Sequence, residues 1–220
     1  MRKARPLDRS TATYRDDRLI LIACDDTVAP KQYFESFGFT RVRFYVEATI
    51  DGTSTPSAAL SRLLALNFEP GDERWLVVDT DHLTHGSHTK SYKDAIRRAT
   101  QHGVRIALSR PSFEVWLLLH YASRDEVRAI PDAKACTDRL GALIGGYKKS
   151  GLRTDLFALE LVPRACREAE LLDSSVPGSE FPQANTTRVY LIWKSIVTAM
   201  SPRQRAEDLP GWPDDLWPGA

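Results

Sequence analysis

Trp75-Leu76-Val77-Val78-Asp79-Thr80-Asp81 is the stretch that decides the fold: four apolar residues in a row, then two alternate carboxylates. An unbroken apolar run of this length reads as a strand buried on both faces, as in a parallel sheet. Glu69-Pro70-Gly71-Asp72 before it is a turn. Residues 89–102 after it have amphipathic helical spacing and end at Gly103, where a glycine cap belongs. Val104–Leu108 is the next strand. On the amino-terminal side, Leu19–Cys24 and Val42–Val46 read as two further strands, with helices at 30–37 and 58–66. Strand and helix therefore alternate through the first half. That is the pattern of an open, mostly parallel α/β sheet with right-handed crossovers.

Further along, the helix after Arg110-Pro111 starts with proline in its first turn. It is apolar almost all round yet contains Glu114 and His120. Beyond residue 132 no strand is expected, and helices are expected at 132–145, 153–173 and 186–200. The expected organisation is a disordered basic arm (1–17), an α/β core (18–125), a helical elaboration of the same domain (126–200) and a flexible tail (201–220). In the tail, Leu209, Trp212, Leu216 and Trp217 stand among Pro and Asp, and they read either as anchors for a partner or as groups folded back on their own domain.

The chain has 220 residues, with 30 Lys and Arg against 29 Asp and Glu. That near balance gives no overall sign of a nucleic-acid binder, although a local basic groove is compatible with it. Cys24, Cys136 and Cys166 are widely spaced and include no CxxC pair, which favours a reducing, cytoplasmic setting. No apolar run reaches membrane-spanning length, and the charged start lacks the apolar segment of a secretory signal.

Ligands in open α/β sheets bind at the carboxyl ends of strands, near a switch in strand order. Asp25-Asp26 follows the first strand and Asp79-Thr80-Asp81 the third. Residues two apart on a strand point the same way, about 7 Å apart. Two such carboxylates can bracket a hard cation such as Mg²⁺ or Mn²⁺. The same acids also suit helix caps and turns. Glu114 gains from the helix dipole and needs a partner if buried. Arg105, Arg110 and a metal are its candidates, and a structural ion pair is the alternative to a site role. His120 lies about 120° round the helix from Glu114, so the two do not share a face, and it reads as a satisfied core histidine. His82, His85 and His88 follow Asp81 in a short glycine-containing loop, which is not a usual zinc ligand set. Arg97, Arg98, His102, Arg105 and Arg110 gather near the fourth strand; Lys148, Lys149 and Arg153 gather near Tyr147. Such groups suit a nucleic-acid backbone or a solvated face.

Ser109-x-Pro111-x-Phe113-Glu114-x-Trp116-x-Leu118-Leu119-His120-Tyr121 resembles the S-N-P-x-F-E-x-W-x-L-L-H-F block of the RloB-like family, with Arg110 for Asn and Tyr121 for Phe. This family includes the AbiLii component of abortive-infection phage defence. Asp79-x-Asp81 resembles its D-x-D, Tyr33-Phe34 its Y-F, Tyr147-x-Lys149 its Y-x-K, and Asn185-Thr186-Thr187-x-Val189 its N-P-x-T-x-V without the proline. The resemblance runs through residues 18–200. It implies a Toprim-like domain in which Asp25, Asp79 and Asp81 hold Mg²⁺ or Mn²⁺. It also implies nuclease action on DNA or RNA, Glu114 at the site, and a neighbouring ATPase as partner. One motif departs: the family's C-E-G-x-x-T-E-P is here Cys24-Asp25-Asp26-Thr27-Val28-Ala29-Pro30-Lys31. Asp25 reaches about 1.5 Å less far than Glu. Misplacement on that scale can cost about a hundredfold in rate. A catalytically degenerate sensor or scaffold that regulates the ATPase is the alternative.

Overall fold

The computed structural model describes residues 17–25, 28–49, 55–80, 88–176 and 180–218. Its strands are β1 (Arg18–Cys24), β2 (Val42–Glu47), β3 (Glu73–Asp79), β4 (Arg105–Arg110) and β5 (Thr186–Thr187). They form one open sheet in the order β2-β1-β3-β4-β5, parallel except for β5. The helices are α1 (Ala29–Glu35), α2 (Pro56–Ala65), α3 (His88–Gln101), α4 (Glu114–Leu118), α5 (Arg124–Arg128), α6 (Ala133–Ile144), α7 (Val162–Ser174), α8 (Tyr190–Ala199) and α9 (Pro202–Asp208).

The apolar runs split by the strand period of two. Ile20, Ile22, Cys24, Trp75 and Val77 face one core; Leu21, Ala23, Leu76 and Val78 face the other. The second core is closed by Ala59, Leu60 and Leu63 of α2 and Tyr92, Ile96 and Ala99 of α3. The first is the larger. It takes in α1, α4 and the carboxyl-terminal helices. α4 lies inside it, and every residue from Phe113 to Leu119 is fully buried. That is why its sequence is apolar all round.

Strand order reverses between β1 and β3, because β1 has β2 on its other side. The carboxyl ends of these two strands therefore form the switch point where such sheets bind ligands.

Four expectations are corrected. Pro111 precedes α4 rather than entering its first turn; the helix begins at Glu114, and the Arg110–Pro111 peptide is cis. Residues 154–161 form two short 3-10 turns, so the long helix begins only at Val162. Residues 186–187 are a strand that pairs antiparallel with β4. Lastly, the chain after 201 is no free tail. α9 is closed by a capping box of Ser201 and Gln204. Leu209, Trp212, Leu216 and Trp217 all belong to the first core. Trp212 stacks on Trp193, and the Trp217 indole N–H donates to Glu170 at 2.8 Å. Residues 1–16 lie outside the described residues.

Candidate functional site

Asp25 immediately follows β1 and Asp79 ends β3 on the neighbouring strand. Cys24 lies beside Val77 in the register. One step on, the Asp79 backbone N–H donates to Asp25 Oδ1 at 3.3 Å. The Asp25 carboxylate thus continues the hydrogen-bond ladder past the end of β1, at the switch point. The two acids act on opposite faces. The Tyr92 hydroxyl on α3 is pushed above its ordinary pKa by burial first and then by Asp25. The Cys136 thiol on α6 is pushed up to about 12 by burial first, then by Glu114, Asp132 and Asp79. Cys136 is therefore a protonated thiol at neutral pH and a poor nucleophile.

Carboxylate oxygens at a strand-end pair are the donors a hard divalent cation takes. Because the two side chains leave opposite faces of the sheet, a Mg²⁺ or Mn²⁺ ion held by both would have to lie beyond the strand ends. Among the described residues no three His, Cys, Asp or Glu side chains gather closely enough to hold a metal. Asp81, Asp26, His82 and His85 lie outside the described residues, as does the side chain of His88.

Glu114 opens α4 and is fully buried. Its Oε2 accepts from Ser112 Oγ at 2.6 Å, and its Oε1 accepts from Tyr147 Oη at 2.9 Å. Lys149 Nζ lies 3.2 Å from Oε1 and keeps about half its side chain exposed. Tyr147 and Lys149 are supplied by the turn after α6. Gly145 there takes the left-handed conformation (φ 73°) that ends the helix, and Gly146 follows at φ 119°. Only glycine adopts both readily, and the reversal returns Tyr147 and Lys149 to Glu114. The expected partners are not used. Arg110 donates to the Pro182 carbonyl at 2.7 Å, and Arg105 pairs with Glu73 at 3.0 Å. Arg105 and Arg110 open and close β4, about 17 Å apart at the usual rise. The basic group expected near the fourth strand is therefore divided between the two ends of the sheet.

His120 is a core histidine. Its Nδ1 lies 3.0 Å from the Trp116 carbonyl, which can only accept, so Nδ1 carries the proton. Nε2 then accepts from Tyr33 Oη at 3.1 Å. Burial pushes the imidazole pKa down to about 4. Asn185 Nδ2 donates to the carbonyls of Val127 and Ile130 at 2.9 and 2.7 Å, and Thr187 Oγ1 meets Ser109 Oγ at 2.8 Å. The residues that the resemblance singled out at 185–189 thus fasten α5 and β5 to the edge of the sheet.

Sequence reasoning missed Ser112 as a donor to Glu114. It also missed Thr80, whose backbone N–H donates to Ser109 and Pro111 carbonyls at 3.0 and 3.1 Å while its buried hydroxyl has no partner among the described residues. Nothing in a lone Ser or Thr signals such a position; it follows from where β3 ends against β4.

A family model described as RloB-like protein matches residues 20–196. No curated protein and no solved structure matches the chain.

Proposed function

The chain belongs to the RloB-like protein family, and we propose that it is a phage-defence protein of the abortive-infection kind that cleaves phosphodiester bonds of nucleic acid with a divalent metal. The observation that carries this reading is the Asp79 N–H to Asp25 carboxylate contact, which fixes the acid after β1 at the end of β3, at the switch point of an open, mostly parallel sheet. Such a sheet end, with an acid after the first strand and a D-x-D after the third, is what a Toprim-type domain uses. Asp25, Asp79 and Asp81 would hold Mg²⁺ or Mn²⁺. The cation, when bound, would polarise a phosphoryl oxygen and lower the pKa of a bound water. Glu114 fixes Tyr147 and Lys149 beside the end of β4 and thereby sets the shape of that wall.

A second reading is favoured by the same contact. Asp25 is one methylene shorter than the family's Glu, and one of its oxygens already accepts a backbone N–H. It then acts as a clamp between strands, and the protein is a metal-binding sensor or scaffold that regulates a neighbouring ATPase. One experiment separates the two. Mg²⁺ or Mn²⁺ should raise the melting temperature by mass action, and Asp79→Asn with Asp81→Asn should abolish the shift. The wild-type protein should cut single- or double-stranded DNA or RNA with Mn²⁺, and the double variant should not. A metal shift without cleavage selects the sensor; an unchanged shift in the double variant overturns the metal site itself.

A further inference from the structure

We propose that the cavity beside Thr80 is a binding site for one nucleotide unit of a single-stranded nucleic acid, seated by its phosphate between Lys93 and Arg110. This rests on the reading of the strand-end acids as a phosphodiester-cleaving site, and it adds the strand form that the site accepts.

The cavity holds about 390 Å³ and is walled by Thr80, Lys93, Arg110, Phe181 and Gln183, among others. A volume near 400 Å³ falls in the range of small-ligand pockets. It accommodates one nucleotide, whereas a base-paired duplex does not enter a space of this volume. Thr80 directly follows Asp79, so the cavity lies at the same carboxyl end of the sheet as the strand-end acids.

Its chemistry selects an anion. Two cations line it, and among the described residues neither pairs with a carboxylate: Arg110 spends one nitrogen on the Pro182 carbonyl, and Lys93 stands 4.9 Å over the Phe181 ring. No acidic side chain is among its described lining residues. A guanidinium with free donors and an ammonium converging on one space match a phosphate.

Thr80 supplies an independent observation. Thr80 is 3 % exposed, and its hydroxyl has no hydrogen-bond partner among the described residues. A buried hydroxyl left unpaired is costly. Thr80 lines the cavity, and a rotation of its side chain toward that space would let a phosphate oxygen pair the hydroxyl. Thr80, Arg110 and Gln183 also line a second cavity of about 500 Å³ on the other side. They therefore form a common wall, where the phosphate of a strand passing from one cavity to the other would lie.

The test is fluorescence anisotropy of a labelled single-stranded oligonucleotide in EDTA, so that binding is read without metal or cleavage. The wild-type chain should bind it, and a duplex of the same sequence should compete at least about tenfold more weakly. Lys93→Gln and Arg110→Gln should each weaken binding about tenfold and lower the salt slope. Lys93 is exposed, so its variant keeps the fold even where Arg110→Gln does not. Thr80→Val removes only the unpaired hydroxyl. It should weaken binding while leaving the melting temperature unchanged or higher, which a purely structural role for Thr80 would not produce. The proposal is overturned by absence of binding to the wild type, by equal affinity for the duplex, or by unchanged affinity in Lys93→Gln and Thr80→Val. Metal-dependent cleavage does not enter this measurement, so a failed nuclease assay and a failed subsite are told apart.

Discussion

A carboxylate removed from water is costly unless hydrogen-bond donors replace that water. Glu114 meets that requirement with Ser112, Tyr147 and Lys149. Tyr147→Phe strips a hydrogen bond from this buried acid and should destabilise the protein by about 1.5–3 kcal/mol, read from the urea midpoint at constant slope. His120 makes a second prediction at the same scale. In the folded chain its pKa is near 4 against an ordinary 6.5, so the unfolded chain binds the extra proton between those values. Its contribution to stability is fully present above pH 6.5 and declines as pH falls, reaching a loss of about 3 kcal/mol near pH 4. His120→Gln should remove this part of the pH dependence in urea titrations run from pH 7 to 4. An equal slope in the variant would show that other groups carry it.

At the scale of elements, the sheet's fourth edge depends on a two-residue strand that periodicity could not reveal. β5 carries Thr187 against Ser109, and Asn185 just before it satisfies two carbonyls at the end of α5. Asn185→Ala leaves both carbonyls, in a region where Asn185 is nearly buried, without these donors. It should cost about 1–3 kcal/mol and raise amide exchange at Arg188, whose N–H donates to the Leu108 carbonyl. Unchanged exchange there would mean that β5 is held without Asn185. The longer elements were legible because each repeats a period several times: the apolar runs of β1 and β3, and the amphipathic α3 with its glycine stop. β5 offers two residues, too few for any period.

The whole molecule shows why the end of the chain matters. Trp212 and Trp217 pack against Trp193, Tyr190 and Glu170 of α8 and α7. Removing residues 209–220 should therefore lower the melting temperature sharply, because the first core opens. Trp212→Ala alone should cost about 3–5 kcal/mol. A truncated protein that keeps its melting temperature would return the tail to the role of a partner anchor. A helical pattern could not place these residues, since Leu209 to Trp217 is interrupted by Pro210, Gly211 and Pro213 and turns at Gly211 (φ 78°).

The order of the first four strands and the helices between them, the doubly buried character of β1 and β3, the apolar character of α4 and the family were written in the local sequence, because each rests on residue types at short spacing. Tertiary structure alone decided what touches what. It set Asp25 against the Asp79 backbone across two strands that are 54 residues apart in the chain. It gave Glu114 Ser112 and the α6-turn residues Tyr147 and Lys149 as partners instead of Arg105 or Arg110, and it left the Thr80 hydroxyl buried without a partner among the described residues. These depend on which strand lies beside which and on how far a turn carries the chain, and such distances have no period to be read.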